Sequence, residues 1–90
     1  MNSSTRKSLT SAQIRAARAL IRWSAEDLAR SSAVGLTTIR RAELTIEETS
    51  LTAANDQAIR RALEGAGVEF IDENGGGPGV RLRKRAKPQR

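Results

Sequence analysis

Apolar residues recur at helical spacing along the first part of the chain. Leu9 and Ile14 flank Thr10 and Gln13, which is typical of a hydrophobic staple around a capping box. The first helix is therefore predicted to begin at Ser11. Its expected buried stripe consists of Ile14, Ala17, Leu20 and Ile21.

Residues 25–44 predict two short helices that meet at a sharp turn. Ser24 and Asp27 form a second capping box, which starts the second helix near Ala25. The third helix is predicted over residues 36–43. The loop that follows, from Thr45 to Ser50, has no helical period of its own.

The third helix has an inward and an outward side. Ile39 and Ala42 are its inward apolar positions. At about 100° per residue, the opposite side consists of Thr37, Arg40, Arg41 and Leu44. An outward face with two arginines suits a DNA groove.

A fourth helix is predicted over residues 51–66, and a β-hairpin follows it. The helix is expected to stop at Gly67, and its apolar stripe consists of Leu51, Ala54, Ala58, Ile59, Ala62, Leu63 and Ala66. Residues 68–71 and 80–83 have the pattern of two strands around a glycine-rich loop. An isolated hairpin is marginal in water, so this one must pack on the helices or pair with another chain, which makes it a candidate dimer contact.

These elements divide one small domain into four parts. Its 90 residues, 38% hydrophobic and 29% charged, are typical of a globular protein. A core this small is often marginal in a monomer, which favours oligomerisation. The predicted parts are a disordered N-terminal segment (1–9), a helical domain (10–67), the hairpin (68–82) and a basic tail (83–90).

The net charge of +6 comes from the end of the chain. Residues 1–80 contain ten basic and ten acidic residues, whereas residues 81–90 add six basic residues and no acid. The tail either lies along DNA phosphates and adds salt-dependent affinity, or only keeps the protein soluble. We favour the first alternative.

The composition excludes much chemistry, because the chain has no cysteine and no histidine. It lacks disulfides, the usual zinc ligands and the commonest general base, and its acids and hydroxyls form no catalytic pair. We expect no enzymatic activity, metal, cofactor or small-molecule ligand.

No apolar run approaches the roughly 20 residues that cross a bilayer, and the segment MNSSTRKSLTSAQ lacks the apolar core of a signal peptide. A cytoplasmic protein is expected.

Two further features have both a binding and a packing interpretation. Trp23 could stack on a nucleotide, but a single Trp beside a capping serine more often packs in a core. Arg60 and Arg61 could meet phosphate, but adjacent arginines on an amphipathic helix usually form its solvated face. We predict packing for the tryptophan and solvation for both arginines.

Part of the chain resembles helix-turn-helix regulators of the Cro and C1 repressor type, the XRE family. The pattern appears in the segment IRAARALIRWSAEDLARSSAVGLTTIRRAE. The resemblance covers residues 14–63. It rests on DLA, on a small residue and Val at the turn, on TI in the third helix and on the Glu at its end. It implies a mainly α, lambda-repressor-like domain of four helices that binds double-stranded DNA through its third, or recognition, helix.

The resemblance also implies roles for individual residues. Arg18 of the first helix and Glu43 at the end of the recognition helix match a structural ion pair. The positions that read bases in the family correspond to Leu36, Thr37, Arg40 and Arg41. Arg41 is the first choice for a bidentate contact with guanine, whereas Arg40 lies nearer the helix edge and could take a phosphate.

Contacts with the DNA backbone are expected from the start of the second helix, from the recognition helix and from the tail. A helix N-terminus offers N–H donors and a positive partial charge to phosphate. The expected residues are Ser24, Thr38, Arg83, Lys84 and Arg85.

Two residues depart from the family's pattern. Ala33 stands where a glycine usually forms the turn, and a left-handed alanine costs about 1 kcal/mol or more. Gly35 stands where a Ser or Thr usually caps the recognition helix, so that helix has a weaker cap.

The sequence thus predicts a transcriptional regulator, acting as a dimeric repressor on a palindromic operator with half-sites about one helical turn apart. An alternative is an antitoxin or a mobile-element excision or recombination control factor that also binds a protein partner through its hairpin or tail. RNA binding has less support, because the two or three exposed aromatic residues that commonly stack on bases are missing.

Overall fold

Four helices precede a two-stranded antiparallel sheet in the computed structural model, which describes residues 8–46 and 49–83. The predicted mainly helical class with a C-terminal hairpin is confirmed. The elements are α1 (Ser11–Ile21), α2 (Ala25–Ser32), α3 (Leu36–Leu44), α4 (Ala53–Gly65), β1 (Val68–Ile71) and β2 (Gly79–Leu82). Within this described part of the chain, none of the helices combines the length and apolar character that crossing a bilayer requires.

Both predicted capping boxes are present. The Thr10 hydroxyl accepts from the Gln13 N–H at 3.0 Å, and the Gln13 side chain accepts from the Thr10 N–H at 3.0 Å. Ser24 and Asp27 exchange the equivalent bonds at 3.0 and 2.9 Å. Leu9 is buried in the same core as α1, as the staple predicts. Local side-chain chemistry therefore fixes where α1 and α2 begin.

The N-terminal boundary differs from the prediction at one residue. Leu9, which the sequence places in the predicted disordered segment, is buried, and its N–H donates to the Asp56 carboxylate at 2.9 Å. This long-range bond ties the entry of α1 to α4. Residues 1–7 lie outside the described residues.

The turn between α2 and α3 contains the predicted left-handed alanine, with φ 61° at Ala33. The Ala33 N–H donates to the Ala29 carbonyl at 2.9 Å. The Ser32 hydroxyl donates to the Leu28 carbonyl at 2.7 Å and accepts from the Val34 N–H at 3.2 Å. These bonds offset part of the strain, because they satisfy backbone groups at the end of α2.

All four helices and β1 contribute to one core. Trp23 is half-buried against it, which confirms the packing interpretation. Leu20 is 39% exposed, so its predicted place in the buried stripe is wrong. The buried apolar residues are Leu9, Ile14, Ala17, Ala25, Leu28, Val34, Ile39, Ala42, Ile59, Leu63 and Val68.

Helix α4 begins two residues later than predicted. Thr52 caps it by accepting from the Asn55 N–H at 3.0 Å, so Leu51 precedes the helix. The predicted stripe is wrong at Ala54 and Ala66, which are exposed. Alanine is small enough to lie on either the buried or the exposed side of a helix, so the apolar period does not predict burial at these two positions.

Arg60 corrects the expectation of a solvated arginine pair on α4. It is only 3% exposed, and its guanidinium lies 5.2 Å from the centroid of the Phe70 ring. Cation–π attraction and the apolar arginine stem favour this buried position. Arg61 is exposed, as expected.

Gln13 joins the hairpin to α1. Its buried amide donates to the carbonyls of Ile71 and Gly79 at 3.3 and 3.0 Å. These residues face each other at the loop end of the hairpin, whose second strand begins one residue earlier than predicted. Of the two arrangements that the sequence left open for the hairpin, packing on the helices is therefore observed.

Replacing this amide by an apolar side chain of similar size should destabilise the fold. Gln13→Leu removes three hydrogen bonds and deprives partly buried backbone groups of their bonds to this amide, which costs about 1–3 kcal/mol of unfolding free energy. Urea unfolding measures the loss. Gln57→Leu, the same change at an exposed α4 position, is the control; equal midpoints for the two variants would contradict a linking role of Gln13.

Candidate nucleic-acid interface

Helix α3 presents the outward face that its spacing predicts. Thr37, Arg40 and Arg41 are exposed, and Leu44 is 82% exposed. The inward residues Ile39 and Ala42 are buried, as expected. Leu36, the fourth predicted base reader, is half-buried and packs against the core. The structure therefore brings three of the four predicted readers onto one exposed face.

The exposed face of α3 is bordered by the start of the helix and, at its side, by a small depression. Gly35 precedes α3 without a side-chain cap, as predicted. Thr38 is half-buried and, with Arg41, borders a depression of about 70 Å³. The residues before α4 complete its lining, which includes Thr49, Ser50 and Leu51. Thr38 thus lies at the side of the face rather than at its centre.

Arg18 and Glu43 form the predicted ion pair. Arg18 Nε and Nη2 donate to the two Glu43 carboxylate oxygens at 2.7 and 2.8 Å. Their side chains are 22% and 10% exposed, so the pair is largely sheltered from water. The hydrogen bonds to Glu43 raise the pKa of Arg18 above its ordinary value, against the lowering effect of burial. The guanidinium is charged at every accessible pH.

This pair is part of a larger attachment of α3 to α1. The remaining terminal nitrogen of Arg18 donates to the Trp23 carbonyl at 2.9 Å, between α1 and α2. The Ser11 hydroxyl donates to the backbone carbonyl of Glu43 at 2.8 Å. Both the side chain and the main chain of Glu43 are thus bound to α1, which fixes the C-terminal end of α3.

Arg40 has a partner that the sequence interpretation missed. Its Nη2 donates to Glu26 at 2.8 Å, and the two side chains are 56% and 53% exposed. Glu26 lies in the first turn of α2, 14 residues before Arg40. No helical spacing connects the two residues, because the turn between α2 and α3 brings them together. The only sequence signal for this contact is an acidic residue at the start of α2, which does not indicate a partner on α3.

The start of α2, where a phosphate contact is predicted at Ser24, carries acidic side chains. The Ser24 N–H and hydroxyl both bond to Asp27. The bond from the Ser24 N–H is the largest cause that lowers the pKa of Asp27, and Arg30 lowers it further. Glu26 adds a second acid in this turn. Two carboxylates therefore oppose the positive partial charge that a helix start offers to phosphate.

Arg83 lies near the end of α4. It is exposed, its N–H donates to the Gly67 carbonyl at 2.7 Å, and its guanidinium donates to the Glu64 carbonyl. Helix α3 packs mainly on α1 and α2, whereas the hairpin packs mainly on α1 and α4. Arg83 is therefore anchored away from the principal contacts of α3. Lys84 and Arg85, the other predicted tail contacts, lie outside the described residues.

Comparison with models of protein families and with curated proteins found no match for this chain. The family resemblance of residues 14–63 stays a prediction. The geometry of α2 and α3 remains: α3 is anchored through Glu43 and carries two exposed arginines, and the acidic first turn of α2 lies beside it.

Truncating Arg18 should destabilise the fold rather than alter the exposed face of α3. Arg18→Ala leaves the sheltered Glu43 carboxylate without its cation, which costs about 3–5 kcal/mol of unfolding free energy. Thermal and urea unfolding measure this loss.

Arg81 supplies the matched control, because it pairs with Glu69 at 3.1 Å on the exposed hairpin surface. Arg81→Ala should shift the unfolding midpoint little, since exposed ion pairs add little stability. A shift as small for Arg18→Ala as for Arg81→Ala would show that the pair does not hold α3.

Proposed function

We propose that the protein is a sequence-specific DNA-binding transcriptional regulator that inserts α3 into the major groove. The observation that carries this proposal is the exposed face of α3, with Thr37, Arg40 and Arg41 side by side on a helix anchored through Glu43. A short helix, a tight turn and a second helix with an outward polar face are the parts of a helix-turn-helix. The resemblance to the XRE family of Cro and C1 repressor type supports the same assignment.

Base recognition on this helix centres on Arg41. A guanidinium in the major groove donates two hydrogen bonds to O6 and N7 of guanine, a contact worth about 1–3 kcal/mol of discrimination. Thr37 offers a methyl group to thymine from the same face. Leu36 contributes less than the sequence suggests, because its side chain is partly buried against the core.

The regulator acts as a dimeric repressor on a palindromic operator in the cytoplasm. Helix α3 has nine residues, so one copy reads only a few base pairs, and two copies on half-sites about 34–36 Å apart double the recognised sequence. The hairpin offers one exposed apolar side chain for contact with a second copy: Leu82, which is 52% exposed.

Selection of bound duplexes from a random DNA pool tests the proposal. The selected sequences should form a palindrome with a G·C pair in each half-site. Arg41→Ala should then relax one position per half-site and weaken operator binding roughly 5- to 150-fold for each half-site contacted, while random-sequence binding changes little. Competition binding with wild-type and substituted duplexes measures both quantities.

Arg61→Ala is the control, because it removes an exposed arginine from α4 instead of α3. It should leave the selected sequence unchanged. A pool without enrichment would contradict sequence-specific binding. Loss of all binding in a folded Arg41→Ala protein would instead make Arg41 a phosphate anchor.

A further inference from the structure

We infer that Glu26 is a specificity determinant of the DNA-binding surface, because it holds Arg40 away from phosphates. The inference rests on the proposed function. Arg40 is one of two exposed arginines on the outward face of α3, and the Glu26 carboxylate binds it at 2.8 Å from the adjacent helix. Glu26 thus controls one of the two positive charges on the reading face.

The Glu26–Arg40 pair affects the surface far more than it affects the fold. Both side chains are more than half exposed, and exposed ion pairs add little to folding stability. The α2–α3 turn is instead held by bonds of Ser32 and Ala33, and α3 is held by Glu43. Removing the Glu26 charge should therefore leave the architecture intact.

The charge of Glu26 has a direct consequence for DNA binding. Phosphates are the same in every sequence, so an arginine that binds phosphate strengthens binding to operator and random DNA alike. While Arg40 is paired with Glu26, the carboxylate offsets part of its charge and its Nη2 is directed toward α2. A carboxylate at this surface also repels nearby phosphates. Both effects weaken phosphate contacts, on which binding to random DNA depends, more than they weaken the base contacts made by Arg41.

Glu26→Gln should therefore strengthen binding to random-sequence DNA. Release of Arg40 adds about one phosphate contact per bound copy, which steepens the salt dependence of random-DNA binding by about 0.9 in the log–log slope for each copy. Affinity for random duplex at low salt should rise roughly three- to tenfold. Operator affinity should rise less, so the ratio of operator to random affinity should fall severalfold. Fluorescence anisotropy titrations over a series of salt concentrations measure these quantities.

Two further variants identify the mechanism. Glu69→Gln removes the same charge from an exposed pair with Arg81 on the hairpin, and it should leave slope and affinity ratio at the wild-type values. Arg40→Gln removes the arginine that Glu26 holds. In that background, Glu26→Gln should no longer steepen the salt slope. Circular dichroism spectra confirm that each variant is folded.

The outcomes separate this inference from the proposed function. Wild-type protein without sequence preference would overturn both. Wild-type protein that prefers its operator, with an unchanged slope and affinity ratio in Glu26→Gln, would overturn the role of Glu26 alone. An equal rise in random-DNA affinity for Glu69→Gln would also overturn it, because the effect would then follow net charge and not the Arg40 partner.

Discussion

The ion pair between Arg18 and Glu43 determines where α3 lies. Two hydrogen bonds join the guanidinium to the carboxylate, and a third joins it to the Trp23 carbonyl at the exit from α1. One side chain thereby connects α1, the link to α2 and the end of α3. Because the pair is largely sheltered, removal of either partner leaves a poorly solvated charge. Any arrangement of the helices that separates the pair has the same free-energy cost.

The surface that this anchoring presents is less basic than the total charge of the chain implies. The positive excess belongs to residues 81–90, whereas residues 1–80 are balanced. On the face itself, Arg40 is paired with Glu26, and Asp27 adds a second acid at the start of α2. If this surface binds DNA as proposed, such pairing of its charges favours base contacts over phosphate contacts. Within the proposed function, the body supplies specificity and the tail supplies affinity.

Local signals predicted the features that depend on neighbouring residues. The Thr10 and Ser24 boxes were readable because a capping residue and its partner stand three positions apart. The division of α3 into inward Ile39 and outward Arg41 followed from the helical period alone. The left-handed Ala33 was expected from the family pattern and is present.

Long-range packing decided the features that the sequence did not predict. Arg60 is buried because Phe70 of the hairpin lies against it, and no spacing within α4 reveals that neighbour. Glu26 meets Arg40 only because the turn folds α2 against α3. Gln13 was recognised as a capping residue, but its second role on the hairpin carbonyls depends on contacts more than fifty residues away in the chain.

In the proposed function, the anchored α3 presents its outward face to DNA. Mapping of backbone amide chemical shifts by NMR, during titration with a selected operator duplex, tests this claim most directly. We expect the largest shift changes on residues 36–41 and on the first turn of α2, with small changes along β1. Changes concentrated on the hairpin, with α3 unaffected, would contradict it.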